Sequence, residues 1–390
     1  MPQTPPNTGL LVLIAASLVA AVLGSIHAFS VFLDPLETQF SASRSAVSLT
    51  YSMALVALTG AVLLGPKLFG RWSAAAFMLL ACGLAACGTA LAALAGSLPM
   101  VWLGYSLIFG AANGLGYGFG LQIAAQVNPG REGLAMGVVT AAYAFGAVLS
   151  PALFDRAVNA QGFALAMWGL TAALIVTGGL SAALMHKAHA RFHTTRDTAS
   201  APAQPVRDLP LLWLGYFGGV LAGLMVIGHA AGIAASLRPT QAAWLAPVVI
   251  AACNLLGSLV AGRLADHMRL GVLLATLALI TSLALVGIAG FGRSGGLLIG
   301  FGALGFAYGG TIAAYPAAIA KLFGMHSSAR IYGRVFTAWG AAGLLGPWLA
   351  GVLFDLSGDY RIALLVAAAI GLGSVAAITG VFRRVGLTPQ

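Results

Sequence analysis

Long apolar stretches dominate the chain, and short polar or Gly/Pro-containing segments separate them. A helix needs about 20 apolar residues to cross the hydrocarbon core of a bilayer. Twelve stretches have this character: residues 10–33, 45–66, 72–95, 98–124, 134–154, 161–185, 209–236, 241–264, 270–291, 295–321, 331–354 and 361–382. The first begins too late and is too long for a cleaved signal peptide, and no basic residue precedes it. The pattern predicts an all-α protein with twelve membrane-spanning helices.

One polar segment differs from the short connections. Residues 186–208 are basic and rich in Ala, Pro and Thr, a composition typical of a flexible linker. Their histidines (His186, His189 and His193) could bind a metal, but solvated linker side chains explain them better. The linker divides the chain into a predicted six-helix bundle at 1–185 and a second at 209–390.

Composition and charge agree with a membrane protein. Hydrophobic residues make up 60% of the 390 residues and charged residues only 7%, whereas soluble proteins are about 25% charged. A water-soluble enzyme and a disordered chain are therefore excluded. The net charge of +10 would suggest a nucleic-acid partner in a soluble protein. Here, 14 of the 19 Lys and Arg residues lie in cytoplasmic segments if both termini are cytoplasmic. We therefore expect an N-in, C-in topology in a lipid bilayer and no nucleic-acid partner.

The two halves repeat with an offset of 196 residues. Tyr143 corresponds to Trp339, and both surrounding stretches end in Leu-Phe-Asp, at Asp155 and, after a four-residue insertion, at Asp355. Duplicated six-helix halves are typical of transporters that rock two bundles about a site near the membrane midplane. The sequence thus predicts two pseudo-symmetric six-helix bundles.

A cytoplasmic turn of the second half carries a family motif. Residues 262–269 read GRLADHMR and resemble the G-x-L-a-D-r-x-G-r-[RK] loop signature of the major facilitator superfamily. Residues 32–37, 223–229 and 332–338 resemble its oxalate/formate antiporter and monocarboxylate porter branch. This resemblance implies a transporter that works as a single chain and is not an enzyme. The equivalent first-half loop, residues 65–71, contains no Asp.

Charged residues at the cytoplasmic ends of the spans are candidates for a gate. Ion pairs there can form in one state of a transporter and break in the other. The candidates are Lys67, Arg71, Arg131, Arg263, Asp266 and Arg334.

The interior of the predicted spans contains no Asp, Glu, Lys or Arg. The resemblance implies a carboxylate-binding Arg in span 8 and, in the oxalate exchanger, a Lys in span 11. The corresponding stretches here are residues 254–258 (NLLGS) and 337–339 (TAW). A dianion would lack a counter-charge, so dianion exchange is disfavoured.

Two histidines lie at depth, His27 in span 1 and His229 in span 7. An imidazole can donate a hydrogen bond to a carboxylate and take up a proton near neutral pH. A neutral histidine bonded to a backbone carbonyl is the alternative, and the sequence favours neither.

Polar and aromatic side chains complete the candidate substrate site. Asn113 and Tyr117 are four residues apart and share one helix face. The full set is His27, Asn113, Tyr117, Tyr143, His229, Asn254, Tyr308, Tyr315 and Trp339. Packing or anchoring at the lipid interface is the alternative role of the aromatic residues. We expect no metal and no cofactor.

These features predict a secondary active transporter that moves a small organic monocarboxylate by alternating access, with protons as a coupled partner. The short loops and the Ala/Gly-rich composition are typical of a bacterial inner-membrane protein. An exporter of neutral or amphipathic small molecules fits the uncharged interior as well. A membrane enzyme would need a paired acid and base or a metal cluster at membrane depth, and the sequence offers neither.

Overall fold

The computed structural model describes residues 8–129, 132–192, 209–237, 243–291, 296–323 and 325–384. Within this part, twelve helical segments are long and apolar enough to cross a membrane, and no strand occurs. The predicted twelve-span, all-α fold is confirmed.

The spans are numbered in chain order and have the following bounds. Spans 1 to 6 are Thr8–Phe40, Arg44–Leu64, Ala74–Ala93, Leu98–Gln126, Glu132–Gln161 and Phe163–Lys187. Spans 7 to 12 are Leu209–Ile227 with Ala230–Leu237, Leu245–His267, Leu270–Phe291, Leu297–Phe323, Met325–Ser357 and Arg361–Arg384. A short helix, Pro66–Phe69, lies between spans 2 and 3.

The chain forms two compact units. Unit 1 comprises Met1–Ala42 and Met53–Thr198, and unit 2 comprises Ser43–Ser52 and Ala199–Gln390. Residues 43–52, which lie within the predicted first bundle, thus pack with residues of the second half of the chain. The helix of span 2 contributes to both units.

Large apolar side chains remain exposed along the spans. Ile175, Leu283 and Ile299 expose more than half of their surface. On helices as apolar as these spans, exposed Ile and Leu side chains are suited to contact with lipid tails. The exposed apolar surface therefore agrees with a membrane environment.

Spans 1 and 5 cross at two glycines. A Cβ atom on Gly24 would collide with the backbone oxygen of Tyr143, and one on Gly146 with that of Ala21. Only glycine allows the two backbones to approach this closely. At this crossing, span 1 changes from an α-helix (Thr8–Leu23) to a 3₁₀ helix (Gly24–Phe32). The crossing brings Tyr143 next to span 1.

Span 7 is interrupted at Gly228 and His229. The helix Leu209–Ile227 ends there, and a second helix, Ala230–Leu237, follows. A Cβ atom on Gly228 would lie 2.9 Å from the Cβ atom of Pro347, so the interruption packs tightly against span 11. Interrupted helices are typical of functional regions in transporters.

Candidate functional site

In unit 1, spans 4 and 5 share a polar cluster formed by Asn113, Tyr117, Thr140 and Tyr143 (the span 4–5 cluster). The Tyr143 hydroxyl donates to Asn113 Oδ1 over 3.1 Å, and Asn113 Nδ2 donates to the backbone oxygen of Leu23 over 2.7 Å. Asn113 is completely buried. The buried amide therefore fixes the position of the Tyr143 ring relative to span 1.

Tyr117 completes this cluster through Thr140. The Thr140 hydroxyl donates to the backbone oxygen of Met136 over 2.9 Å. Its oxygen therefore accepts from the Tyr117 hydroxyl, which lies 3.2 Å away. The rings of Tyr117 and Tyr143 are 4.6 Å apart. Both tyrosines are half-buried and Thr140 is exposed, so the cluster reaches the surface of unit 1.

The His27 ring meets this cluster edge-on. Its centroid lies 5.7 Å from that of Tyr143, with the planes 76° apart. His27 is half-buried. Four predicted substrate-site residues of the first half (His27, Asn113, Tyr117 and Tyr143) therefore form one contiguous group. Their role in substrate binding stays a prediction.

In unit 2, Trp339 and Tyr308 form a directly bonded pair. Trp339 Nε1 donates to the Tyr308 hydroxyl oxygen over 2.9 Å, and both residues are buried. The Trp339 ring stacks on Phe336, with centroids 5.5 Å apart. The pair joins spans 10 and 11, as Tyr143 and Asn113 join spans 5 and 4. The predicted correspondence of Tyr143 and Trp339 thus extends to a hydrogen bond with the preceding span.

Asn254 and Tyr315 lie in other surroundings. The Ser258 hydroxyl is 3.0 Å from the backbone oxygen of Gly309 and 3.4 Å from Asn254 Oδ1. Asn254 is half-buried. Tyr315 is fully buried, and its ring packs 4.3 Å from that of Tyr216. Of these two predicted site residues, only Asn254 reaches a surface of unit 2.

His229 lies in a third polar group, the His229 network, with Arg44, Ser48, Pro347 and Tyr360. Its Nε2 atom is 2.8 Å from the backbone oxygen of Pro347 and 3.0 Å from Ser48 Oγ. Its Nδ1 atom is 3.0 Å from the Tyr360 hydroxyl. The Tyr360 oxygen also accepts from Arg44 Nη1 over 2.6 Å. His229 is completely buried.

Asp355 fixes the beginning of span 2 in the same region. Its two carboxylate oxygens accept from the backbone N–H groups of Arg44 and Ser45 over 3.0 and 2.9 Å. A carboxylate at the first turn of a helix satisfies free N–H groups and interacts favourably with the helix dipole. Asp355 therefore anchors residues 43–52 within unit 2.

Of the predicted gate residues, Lys67, Arg71, Arg263 and Arg334 have exposed side chains. Asp266 belongs to the helix of span 8, but its side chain lies outside the described part, as does all of Arg131. The gate stays a prediction. Among the described residues, no three His, Cys, Asp or Glu side chains are placed to hold a metal ion.

Arg44 and Tyr360 were not among the predicted site residues. Arg44 is only 8% exposed, and its guanidinium carbon lies 4.5 Å from the centre of the Phe354 ring. One signal pointed to this region, because the repeated Leu-Phe-Asp ends at Asp355. The contact of Asp355 with Arg44 could not be predicted from spacing, because the two residues are 311 positions apart in the chain.

Two sequence relatives of the chain are named as transporters. No protein-family model matches the chain. An uncharacterized MFS-type transporter of Escherichia coli, YhjX, is 28% identical over 87% of each chain. The oxalate:formate antiporter of Oxalobacter formigenes is 23% identical over 99% of this chain and 95% of its own. Both relatives match along most of their length.

Solved transporters share the fold. A bacterial homologue of the human lysosomal transporter Spinster, inward-facing and occupied, superposes with a TM-score of 0.75 at 15% identity, covering 99% of this chain and 100% of its own. A D-xylose–proton symporter gives a TM-score of 0.71 at 14% identity, over 95% and 97% of the chains. Along most of its length, the chain is therefore similar to transporters of the major facilitator superfamily and shares their twelve-span fold, and these relatives are transporters rather than enzymes.

Proposed function

We propose that this chain is a secondary active transporter that moves a small organic monocarboxylate across a bacterial inner membrane, coupled to protons. Alternating access would expose the site to each side in turn, with both termini in the cytoplasm. The exposed cations Lys67, Arg71, Arg263 and Arg334 are proposed to act, with Arg131 and Asp266, as its cytoplasmic gate.

The observation that carries this proposal is the polar surface of unit 1. His27, Tyr117, Thr140 and Tyr143 offer hydroxyl and imidazole groups there. The surrounding stretches, residues 8–33, 101–127 and 135–154, contain no Asp, Glu, Lys or Arg. Neutral donors and one titratable imidazole suit a single carboxylate, whereas a dianion would leave a charge without compensation.

Unit 2 offers neutral groups of the same kind. Asn254 is half-buried, and Trp339 holds the Tyr308 hydroxyl in place. An amide and an aromatic hydroxyl can bind a carboxylate or a hydroxyl group without adding charge. We propose that Asn254, Tyr308 and Trp339 contribute to the substrate site, together with Tyr315 and His229 as supporting groups.

One relative supports the substrate class. The protein from Oxalobacter formigenes is named an antiporter of oxalate and formate, so carboxylates are substrates within this group of relatives. The named exchange includes a monoanion, formate. The absence of Lys and Arg from the middle of spans 8 and 11 favours the monoanion for this chain.

Transport in proteoliposomes tests the proposal. Vesicles with an imposed pH gradient should accumulate labelled formate or lactate, and a protonophore should abolish the accumulation. His27→Gln keeps a hydrogen-bonding side chain but removes the titratable group, and it should uncouple uptake from the gradient. A matched Tyr105→Phe variant changes a buried tyrosine outside the cluster and should behave as wild type. Equal uptake with and without the gradient in the wild type would refute proton coupling.

An exporter of neutral or amphipathic compounds is the second candidate. The aromatic rings of Tyr117, Tyr143 and Trp339 and the uncharged spans favour it. A thermal-shift series of the purified protein separates the two functions. Stabilisation by monocarboxylates alone supports the first, and stabilisation by neutral aromatic compounds alone supports the second.

A further inference from the structure

The His229 network holds the beginning of span 2 to unit 2 through neutral and charged groups from four elements. Arg44 and Ser48 come from span 2, His229 from the interruption of span 7 and Pro347 from span 11, and Tyr360 immediately precedes span 12. The group is buried, since Arg44 is 8% exposed and His229 not at all. A buried titratable group enclosed in this way makes the arrangement dependent on its protonation state.

The hydrogen atoms of this network can be assigned from its acceptors. The Pro347 carbonyl can only accept, so His229 Nε2 carries a hydrogen. The Ser48 hydroxyl donates to the backbone oxygen of Arg44 over 2.6 Å, which leaves its oxygen to accept from the same Nε2. In a neutral imidazole, Nδ1 is then an acceptor, and it receives the Tyr360 hydroxyl hydrogen. Arg44 Nη1 donates to the Tyr360 oxygen.

A neutral His229 therefore completes a continuous series of donors and acceptors from Arg44 to Pro347. A second proton on His229 would add a hydrogen to Nδ1, facing the Tyr360 hydroxyl. That hydroxyl would have to turn its own hydrogen away. The imidazolium would also lie one hydroxyl group away from the Arg44 guanidinium, and two buried cations repel each other.

The charged groups around His229 are Arg44 from span 2 and Asp355 from span 11. Asp355 is engaged with the backbone N–H groups of Arg44 and Ser45. Tyr360, which immediately precedes span 12, is the further titratable group in contact with the imidazole. Arg44 thus disfavours a positive charge on His229. Asp355 favours such a charge, and it also binds residues 43–52 through the backbone N–H groups of Arg44 and Ser45.

We propose that His229 is a proton-operated latch for residues 43–52. The neutral form binds this segment to unit 2, and uptake of a proton by Nδ1 releases it. Uptake of a proton from water forms an N–H bond at Nδ1, and return of this proton to water restores the closed series of hydrogen bonds. The latch thus decides whether residues 43–52 stay packed within unit 2. The latch operates whatever substrate the transporter carries.

A distance measurement between two spin labels tests the latch. The labels are placed at Ser43→Cys and Leu356→Cys, both exposed positions, after Cys82, Cys87 and Cys253 have been replaced by Ser. The protein is reconstituted in lipid nanodiscs without substrate and without a pH gradient. Double electron–electron resonance then reports the population in which residues 43–52 have left unit 2.

Between about pH 8 and about pH 5, the released population should rise about tenfold, because a histidine outside the buried network titrates in this range and its protonation favours the released form. His229→Gln, which keeps a donor and an acceptor but does not titrate, should show no pH dependence. Tyr360→Phe should show the released population already at the higher pH. The control Tyr105→Phe alters a buried tyrosine of unit 1 and should titrate as wild type.

A wild-type distance distribution that does not change with pH would overturn the proposal, and so would an unchanged pH response in His229→Gln. If His229→Gln does not fold, Tyr360→Phe decides, because retention of the wild-type distribution there refutes the latch. Since no substrate is present, failure of the proposed monocarboxylate transport leaves this result unaffected.

Discussion

Asn113 accepts a hydrogen bond from the Tyr143 hydroxyl over 3.1 Å while its amide group donates to the backbone of span 1 over 2.7 Å. One buried side chain thus connects three spans of unit 1. In unit 2, Trp339 and Tyr308 form the corresponding contact between spans 11 and 10. The repeat seen in the sequence is therefore also a repeat of hydrogen-bonded aromatic residues.

Asn113→Leu should destabilise the protein more than Tyr143→Phe. The first change leaves the Leu23 carbonyl without this partner, and a buried unsatisfied group costs about 1–3 kcal/mol; it also removes the hydrogen bond to Tyr143. The second change removes one neutral hydrogen bond, worth about 0.5–1.5 kcal/mol. Thermal unfolding in detergent measures both. Equal unfolding temperatures for the two variants would contradict this account of Asn113.

Trp339→Phe and Tyr308→Phe should not be additive. Each variant removes the same hydrogen bond, so the double variant should lose less stability than the sum of the two single changes. Coupling between residues in contact is typically about 0.5–3 kcal/mol. A double-mutant cycle by thermal or chemical unfolding measures it. Strict additivity would show that the 2.9 Å contact contributes nothing to stability.

Gly232→Ala should weaken the His229 network. A Cβ atom at this position would lie 2.7 Å from the Tyr360 hydroxyl oxygen and 2.8 Å from Arg44 Nη1, so one of these groups must move. We expect the released population at about pH 8 to resemble that of the wild type at about pH 5. Gly373→Ala is the control, because a Cβ atom there has no neighbour within 4 Å. An identical response of both variants would argue against the contact.

Asp355→Asn should destabilise the beginning of span 2. The amide cannot accept from both backbone N–H groups and lacks the charge that favours a helix N-terminus, so a loss of about 0.5–2 kcal/mol is expected. Hydrogen exchange of the amides of Arg44 and Ser45 measures this locally. Asp155→Asn, in the corresponding Leu-Phe-Asp of the first half, is the control and should leave these amides protected. Unchanged exchange in Asp355→Asn would contradict the anchoring role.

Cysteine labelling tests the predicted topology. In a background without native cysteines, His186→Cys at the end of span 6 should resist a membrane-impermeant thiol reagent in intact cells. Gln161→Cys, next to the connection between spans 5 and 6 and thus at the opposite end of span 6, should react, and both side chains are exposed. Permeabilised cells should label both positions. Labelling of His186→Cys alone in intact cells would reverse the N-in, C-in orientation.

The spans, their number and the correspondence of Tyr143 with Trp339 could be predicted from the sequence. A helix in lipid must satisfy its own backbone hydrogen bonds, so each span is a continuous apolar stretch that can be recognised locally. Helix spacing also placed Asn113 and Tyr117 on one face of span 4, whereas the contact of His27 with Tyr143 could not be predicted from spacing. The interruption at Gly228 and His229 could not be predicted, because the apolar stretch 209–236 contains six glycines and nothing in the local sequence singles out Gly228 among them.

The local sequence thus determined the twelve apolar spans and the polar residues that lie within them. Only the tertiary structure decided that Arg44 and Tyr360, 316 residues apart, meet at His229, and that residues 43–52 belong to unit 2. Hydropathy describes how each segment interacts with lipid, whereas the partner of a buried polar group depends on which helices pack together. Side-chain shape and hydrogen bonding over the whole fold determine which helices pack together. A local sequence pattern therefore does not predict the partner of a buried polar group.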